Sequence, residues 1–133
     1  MIRISAIDHV VLRVRDFERM VAFYRDVLCC PLEWRRDDLG MAHMRAGRAL
    51  IDLVDVNGQL GRAGGAAPGS EARNMDHLCL QVEGFDAGAV TKHLQACGAR
   101  FEEPQERYGA EGKGLSIYLY DPEDNLVELR AAP

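Results

Sequence analysis

The sequence has no long hydrophobic run, no closely paired cysteine motif and no excess of basic charge, and each shortage removes a class of function. No stretch approaches the roughly 18 apolar residues of a membrane span, so no membrane partner is expected. Lys and Arg number 16 against 21 Asp and Glu, giving a formal net charge of −5. A nucleic-acid surface usually needs clustered basic residues. The one basic cluster, Arg35-Arg36, is followed at once by Asp37-Asp38, so no nucleic-acid partner is expected either. Met1-Ile2-Arg3-Ile4 shows no signal-peptide pattern. Four cysteines, Cys29, Cys30, Cys79 and Cys97, include no C-x-x-C pair. Cys29 and Cys30 are adjacent, which strains a mutual disulfide. All four are read as reduced thiols, most of them buried as small hydrophobes, in a cytoplasmic protein.

What is present is a globular composition, 47% apolar and 28% charged. A chain of 133 residues fits one compact domain, or two small units sharing a core. It also contains a repeat. Ile7-Asp8-His9-Val10-Val11-Leu12-Arg13-Val14 and Met75-Asp76-His77-Leu78-Cys79-Leu80-Gln81-Val82 are near-copies 68 positions apart. At the same offset Phe17 meets Phe85 and Cys29 meets Cys97, with no gap. Further on, Leu50-Ile51-Asp52-Leu53 resembles Leu126-Val127-Glu128-Leu129, now 76 apart, so the second copy carries about eight extra residues before its last strand.

Each copy predicts a strand, a helix and three strands. In the first, Val10, Leu12 and Val14 alternate along a strand. Asp16 caps a helix running to about Leu28, with Met20, Phe23, Tyr24, Val27 and Leu28 at helical spacing. Strands follow at about 31–37, 41–46 and 48–56, with turns at Asp37-Asp38-Leu39-Gly40 and Ala46-Gly47. Residues 57–73 are rich in Gly and Ala, without apolar period, and read as an exposed, mobile linker. The second copy gives a strand at 75–82, a helix at about 86–97 ended by Gly98, and strands near 99–102, 115–120 and 125–130. Asp121-Pro122-Glu123-Asp124 reads as a turn, and 104–114 as an irregular, glycine-containing segment able to act as a lid.

Strand alternation assigns faces. If Val10, Leu12, Val14, Leu78, Leu80, Val82, Ile51, Leu53, Val127 and Leu129 face helices, then His9, Asp52, His77 and Glu128 all take the other face. An ionisable group inside a buried strand is costly unless paired. Two imidazoles with carboxylates are a donor set that a divalent metal recruits. Asp8 and Asp76 mark strand starts, or in the sharper reading hydrogen-bond the histidines beside them. His43 and His93 read as surface residues.

Three motifs, Asp8-His9-Val10-Val11-Leu12, Phe23-Tyr24-Arg25-Asp26-Val27-Leu28 and Asp121-Pro122-Glu123-Asp124-Asn125-Leu126-Val127-Glu128-Leu129, closely resemble those of the vicinal oxygen chelate superfamily, the glyoxalase/bleomycin-resistance/dioxygenase fold. The last resembles the family's DPDGN-x-[IV]-E-[LIV] ending. The resemblance implies an α+β chain of two tandem βαβββ modules forming a curled, barrel-like mixed sheet with helices outside. It implies one domain over 1–133, with module one at about 1–57, a linker at about 57–73 and module two at about 74–133, in a homodimer. Carried over, His9 and His77 match metal ligands and Glu128 the final-strand carboxylate. Asp52 falls where a fourth ligand, commonly Glu, stands; one methylene shorter, it binds directly, through a water, or not at all. Arg13 matches an arginine that holds a substrate carboxylate. The family's frequent Leu-Gly after the first helix is Leu28-Cys29-Cys30 here.

These residues suit a divalent metal, Ni, Zn, Mn, Fe or Co, accepting two neighbouring oxygens of a small-molecule substrate and stabilising an enediolate. A carboxylate takes the proton next to the carbonyl, Glu128 first and Asp52 as its pseudo-symmetric counterpart. Arg13 or Lys113 holds an anionic group, and Gln81 and Tyr118 are further substrate-binding candidates. This is a glyoxalase-like lyase or isomerase. One alternative is a 2-His-1-carboxylate Fe(II) dioxygenase using His9, His77 and Glu128; another is metal-dependent thiol transfer to fosfomycin. A third, of another class, is an antibiotic-binding resistance protein without catalysis.

Overall fold

Alternating apolar residues in the first repeat form β1 (His9–Val14), which runs parallel to β4 (Ala49–Asp55). Between them in the chain lie α1 (Phe17–Asp26), β2 (Leu32–Arg36) and β3 (Met41–Ala46), and the sheet order is β1-β4-β3-β2 with its other pairs antiparallel. Leu12, Val14, Ile51, Leu53 and Met44 are buried with Met20, Phe23 and Tyr24 of α1, which lies against β3 and β4. Each such side chain contributes about 2 kcal/mol. Asp16 caps α1 by accepting from Arg19 N at 3.2 Å, a contact worth about 1 kcal/mol.

The computed structural model describes residues 1–133. They divide into two compact units, Met1–Ala72 and Arg73–Pro133. The second contains β5 (Leu78–Val82), α2 (Ala87–Ala96), β6 (Arg100–Phe101), β7 (Gln105–Gly109), β8 (Gly112–Tyr120) and β9 (Leu126–Ala131). β5 is parallel to β9 as β1 is to β4, and the order β5-β9-β8-β6 repeats that of the first sheet. Ile117, Leu119, Val127 and Leu129 are buried there with Leu94 of α2, and Asp86 caps α2 through Ala89 N at 2.7 Å. The fold is α+β, with two tandem βαβββ modules.

Four local expectations need correction. The segment 104–114 is not irregular: it is β7 and the start of β8, paired antiparallel from Gln105↔Ser116 to Gly109↔Gly112. The extra residues of the second copy lie in this hairpin. Tyr108 and Leu115 are exposed, so its sequence shows no apolar alternation; backbone pairing with β8 makes it a strand. The 57–73 stretch is not all open linker, because Gly61–Gly64 form a 3-10 turn with Gly61 buried. A Cβ on Gly61 would overlap the Asp55 carbonyl. Only Cys30 of the four free cysteines is buried. Finally α1 stops at Asp26, and Cys29 takes a left-handed φ of 56°.

After α2 the left-handed residue is Gly98, φ 68°, one position past Cys97, the repeat partner of Cys29. At the final turn Asp124, φ 66°, stands where the resembling motif has Gly; Asp tolerates that region better than most residues. Buried Asp121 holds the turn by accepting from Glu123 N, Asn125 N and Asn125 Nδ2 at 2.8–2.9 Å. That turn launches β9 and sets the position of Glu128. No helix is long and apolar enough to cross a membrane.

Candidate active site

In the second unit, β9 places Glu128 beside Cys79 of β5 and Tyr118 of β8. His77 sits one residue ahead of β5, and its Nε2 lies 3.3 Å from Glu128 Oε2. His77 Nδ1 is 2.5 Å from Asp76 Oδ2. A carboxylate only accepts, so Nδ1 is the donor to Asp76, and that contact fixes the ring with Nε2 presented to Glu128. Glu128 is only 4% exposed and its Oε1 has no hydrogen-bond partner. Leaving such an atom unmade costs about 1–3 kcal/mol. An imidazole oriented through Nδ1 by a carboxylate, next to a buried and incompletely satisfied carboxylate, fits a divalent metal.

The first unit arranges its counterparts differently. His9 Nδ1 lies 2.7 Å from Asp8 Oδ2, the same orienting contact. That hydrogen bond, with the charge of Asp52, holds the His9 imidazole above its ordinary pKa. Asp52 is buried at 3% exposure, but its Oδ1 is 2.7 Å from His43 Nδ1. His43, its cross-strand neighbour on β3, stacks on Trp34 with centroids 5.5 Å apart. So His43 is not a free surface residue; it is the hydrogen-bond partner of Asp52. In neither unit do three His, Cys, Asp or Glu side chains converge on one point.

The substrate-binding candidates separate. The Tyr118 ring lies 5.6 Å from that of His77, and Gln81 is exposed on the strand face of Cys79. Lys113 is exposed and shares the alternation of Leu115 and Ile117, the opposite face from Tyr118. Arg13 donates to the carbonyls of Gly61, Gly65 and Ala66 at 2.7–3.0 Å, so its guanidinium ties the 61–66 segment to β1.

Two arginines that were not singled out from the sequence stand on the Glu128 face. Arg107 lies 3.6 Å over the Tyr118 ring and donates to Ser116 O and Oγ. Arg130 is 7% exposed. Alternation along β9 could have flagged Arg130, two residues beyond Glu128. Cys79 is pushed up to about 11 by burial first and then by the charge of Glu128. An open depression of about 680 Å³ lies elsewhere, at the end of β1 opposite His9; its Arg35 is ion-paired with Glu18 and Asp37.

The sequence profile of the Glyoxalase/Bleomycin resistance protein/Dioxygenase superfamily matches residues 6–129. The virulence protein STM3117 of Salmonella typhimurium is 30% identical over 126 residues, covering 95% of this chain and 83% of that protein. Human mitochondrial methylmalonyl-CoA epimerase is 26% identical over 138 residues, covering 97% of this chain and 75% of that protein. The crystal structure of the fosfomycin resistance protein FosX from Listeria monocytogenes, complexed with Mn(II), has a TM-score of 0.70 at 21% identity, covering 98% of this chain and 93% of that one.

Proposed function

The chain belongs to the Glyoxalase/Bleomycin resistance protein/Dioxygenase superfamily, and from that premise we propose that it is a metal-dependent enzyme of the glyoxalase-like group, a lyase or isomerase of a small oxygenated substrate. Its relatives include an epimerase and a protein crystallised with Mn(II), so a metal-supported reaction is within the family's range. His77 and Glu128 anchor the metal, His9 is a further proposed donor, and Asp52, already engaged by His43, stands outside the direct ligand set. A second copy of the chain completes a cytoplasmic homodimer.

The observation that carries the reading is the unpartnered, buried Glu128 Oε1 beside an imidazole already oriented by Asp76. A bound divalent metal would supply Lewis acidity toward two neighbouring substrate oxygens. The protein's own groups do the rest. Asp76 fixes the His77 ring, and Glu128 Oε1 takes the proton next to the substrate carbonyl and can return it. Tyr118, against His77, excludes water from that side. Asp52 already has one oxygen engaged by His43, so Glu128 is the first choice of base and Asp52 its pseudo-symmetric counterpart.

The test is metal analysis of purified wild type beside His77→Ala, followed by an assay with the hemithioacetal of glutathione and methylglyoxal. Close to one divalent metal per chain in wild type, lost in the variant, is expected. Unchanged metal in the variant removes the site; metal without turnover leaves the site and withdraws the lyase reading.

A further inference from the structure

Arg130 is the second buried ionised side chain on the Glu128 face of β9, and the reading above gives it no role. It is 7% exposed. Its Nη2 donates to Gly112 O at 3.0 Å, while its Nη1 is buried with no partner. It forms no salt bridge: Glu128, the acid nearest in register, is engaged with His77. A guanidinium stays charged at any accessible pH, and a buried charge without a counter-ion is strongly unfavourable. The chain nevertheless builds a place for it. The guanidinium lies against Gly109 and Gly114, where a Cβ would collide with Nη1 at the first and approach Nη2 to 2.9 Å at the second. These glycines belong to the β7–β8 hairpin, which carries the extra residues that the β2–β3 hairpin of the first module lacks.

We propose that Arg130 is an oxyanion receptor for the substrate, held under the glycine tip of the β7–β8 hairpin. The proposal rests on the enzyme reading and narrows it: the substrate is a small molecule carrying a carboxylate or phosphonate as well as the oxygens presented to His77 and Glu128. Two residues along a strand separate Glu128 and Arg130 by about 7 Å, a span one small molecule can bridge. Release of the single Nη2–Gly112 bond lets the tip lift and frees both Nη groups for a two-point contact with an oxyanion. Arg13, the tie of the first module, places its two Nη groups on three carbonyls, whereas Arg130 has a carbonyl on Nη2 and nothing on Nη1.

The test is titration of metal-free protein, followed by amide chemical shifts, with acetate, methylphosphonate and neutral acetamide. Wild type should show saturable shifts at Gly109, Gly112 and Gly114 with acetate or methylphosphonate and none with acetamide; the tighter anion identifies the class. Arg130→Met should lose at least tenfold in anion affinity while melting no lower than wild type, because it removes an uncompensated buried charge. Gly109→Ala expels the guanidinium from its slot and should tighten anion binding at least threefold. The proposal is overturned if Arg130→Met binds anions like wild type, if acetamide binds equally, or if no titration saturates. Metal uptake by the same proteins after dialysis against Mn(II) separates the two readings: metal uptake without anion binding sinks only this proposal, and anion binding without metal uptake sinks only the metal assignment.

Discussion

β4 and β9 hold the same place in their sheets, each parallel to the first strand of its module and antiparallel to the strand before it, yet they treat their acids in opposite ways. On β4 the carboxylate of Asp52 is closed by His43, which donates from Nδ1. On β9 the corresponding neighbour of Glu128 is Tyr118, whose ring packs on His77 and under Arg107 and gives Glu128 no hydrogen bond. Two residues on, β4 has the buried apolar Val54 and β9 the buried Arg130. Duplication kept the backbone and let the chemistry diverge. One module satisfies its acid internally; the other leaves an oxygen and a guanidinium nitrogen unsatisfied, as a site that must bind something would.

Exchanging the paired positions breaks or sharpens this contrast. The largest effect is expected from Val54→Arg, which buries a charge in a module without the glycine slot. It should cost about 3–5 kcal/mol, read as a lowered denaturation midpoint; a cost under about 1 kcal/mol would mean that the slot is not what accommodates Arg130. Next, His43→Leu leaves Asp52 buried without its donor and should cost about 1–3 kcal/mol, whereas Tyr118→Phe should stay within about 0.5 kcal/mol. Equal costs in urea denaturation would erase the distinction between the two acids. Smallest is Cys29→Gly, which relieves a left-handed cysteine, the conformation that Gly98 takes after α2. It should stabilise by about 1 kcal/mol, part of the strain relief being offset by the freer unfolded chain.

The repeat made much of this readable in advance. Period-two alternation in residues 9–14 and 78–82 and the Asp16 and Asp86 caps required no tertiary knowledge, and the two-module α+β architecture followed. Alternation also sent His77 and Glu128 to one face, where they meet. What escaped was set by pairing and not by local pattern. β7 has exposed Tyr108 and glycines in place of an apolar stripe, so only its hydrogen bonds to β8 define it. His43 looked like a surface residue because nothing local reveals that it stands opposite Asp52. Arg13 looked free because its partners are backbone carbonyls some fifty residues away. Arg130 carried the right alternation, but a charge near the end of a strand ordinarily reads as solvated; the glycines that bury it come from the β7–β8 hairpin.

The central claim, that the second module anchors the metal through an acid left open while the first keeps its acid closed, is tested most directly by metal occupancy of Glu128→Ala and Asp52→Ala after dialysis against one limiting concentration of Mn(II) or Ni(II). The account predicts that Glu128→Ala retains essentially no metal and that Asp52→Ala loses at most about tenfold in affinity, as for a partner outside the direct ligand set. Full occupancy in Glu128→Ala, or complete loss in Asp52→Ala alone, would contradict it.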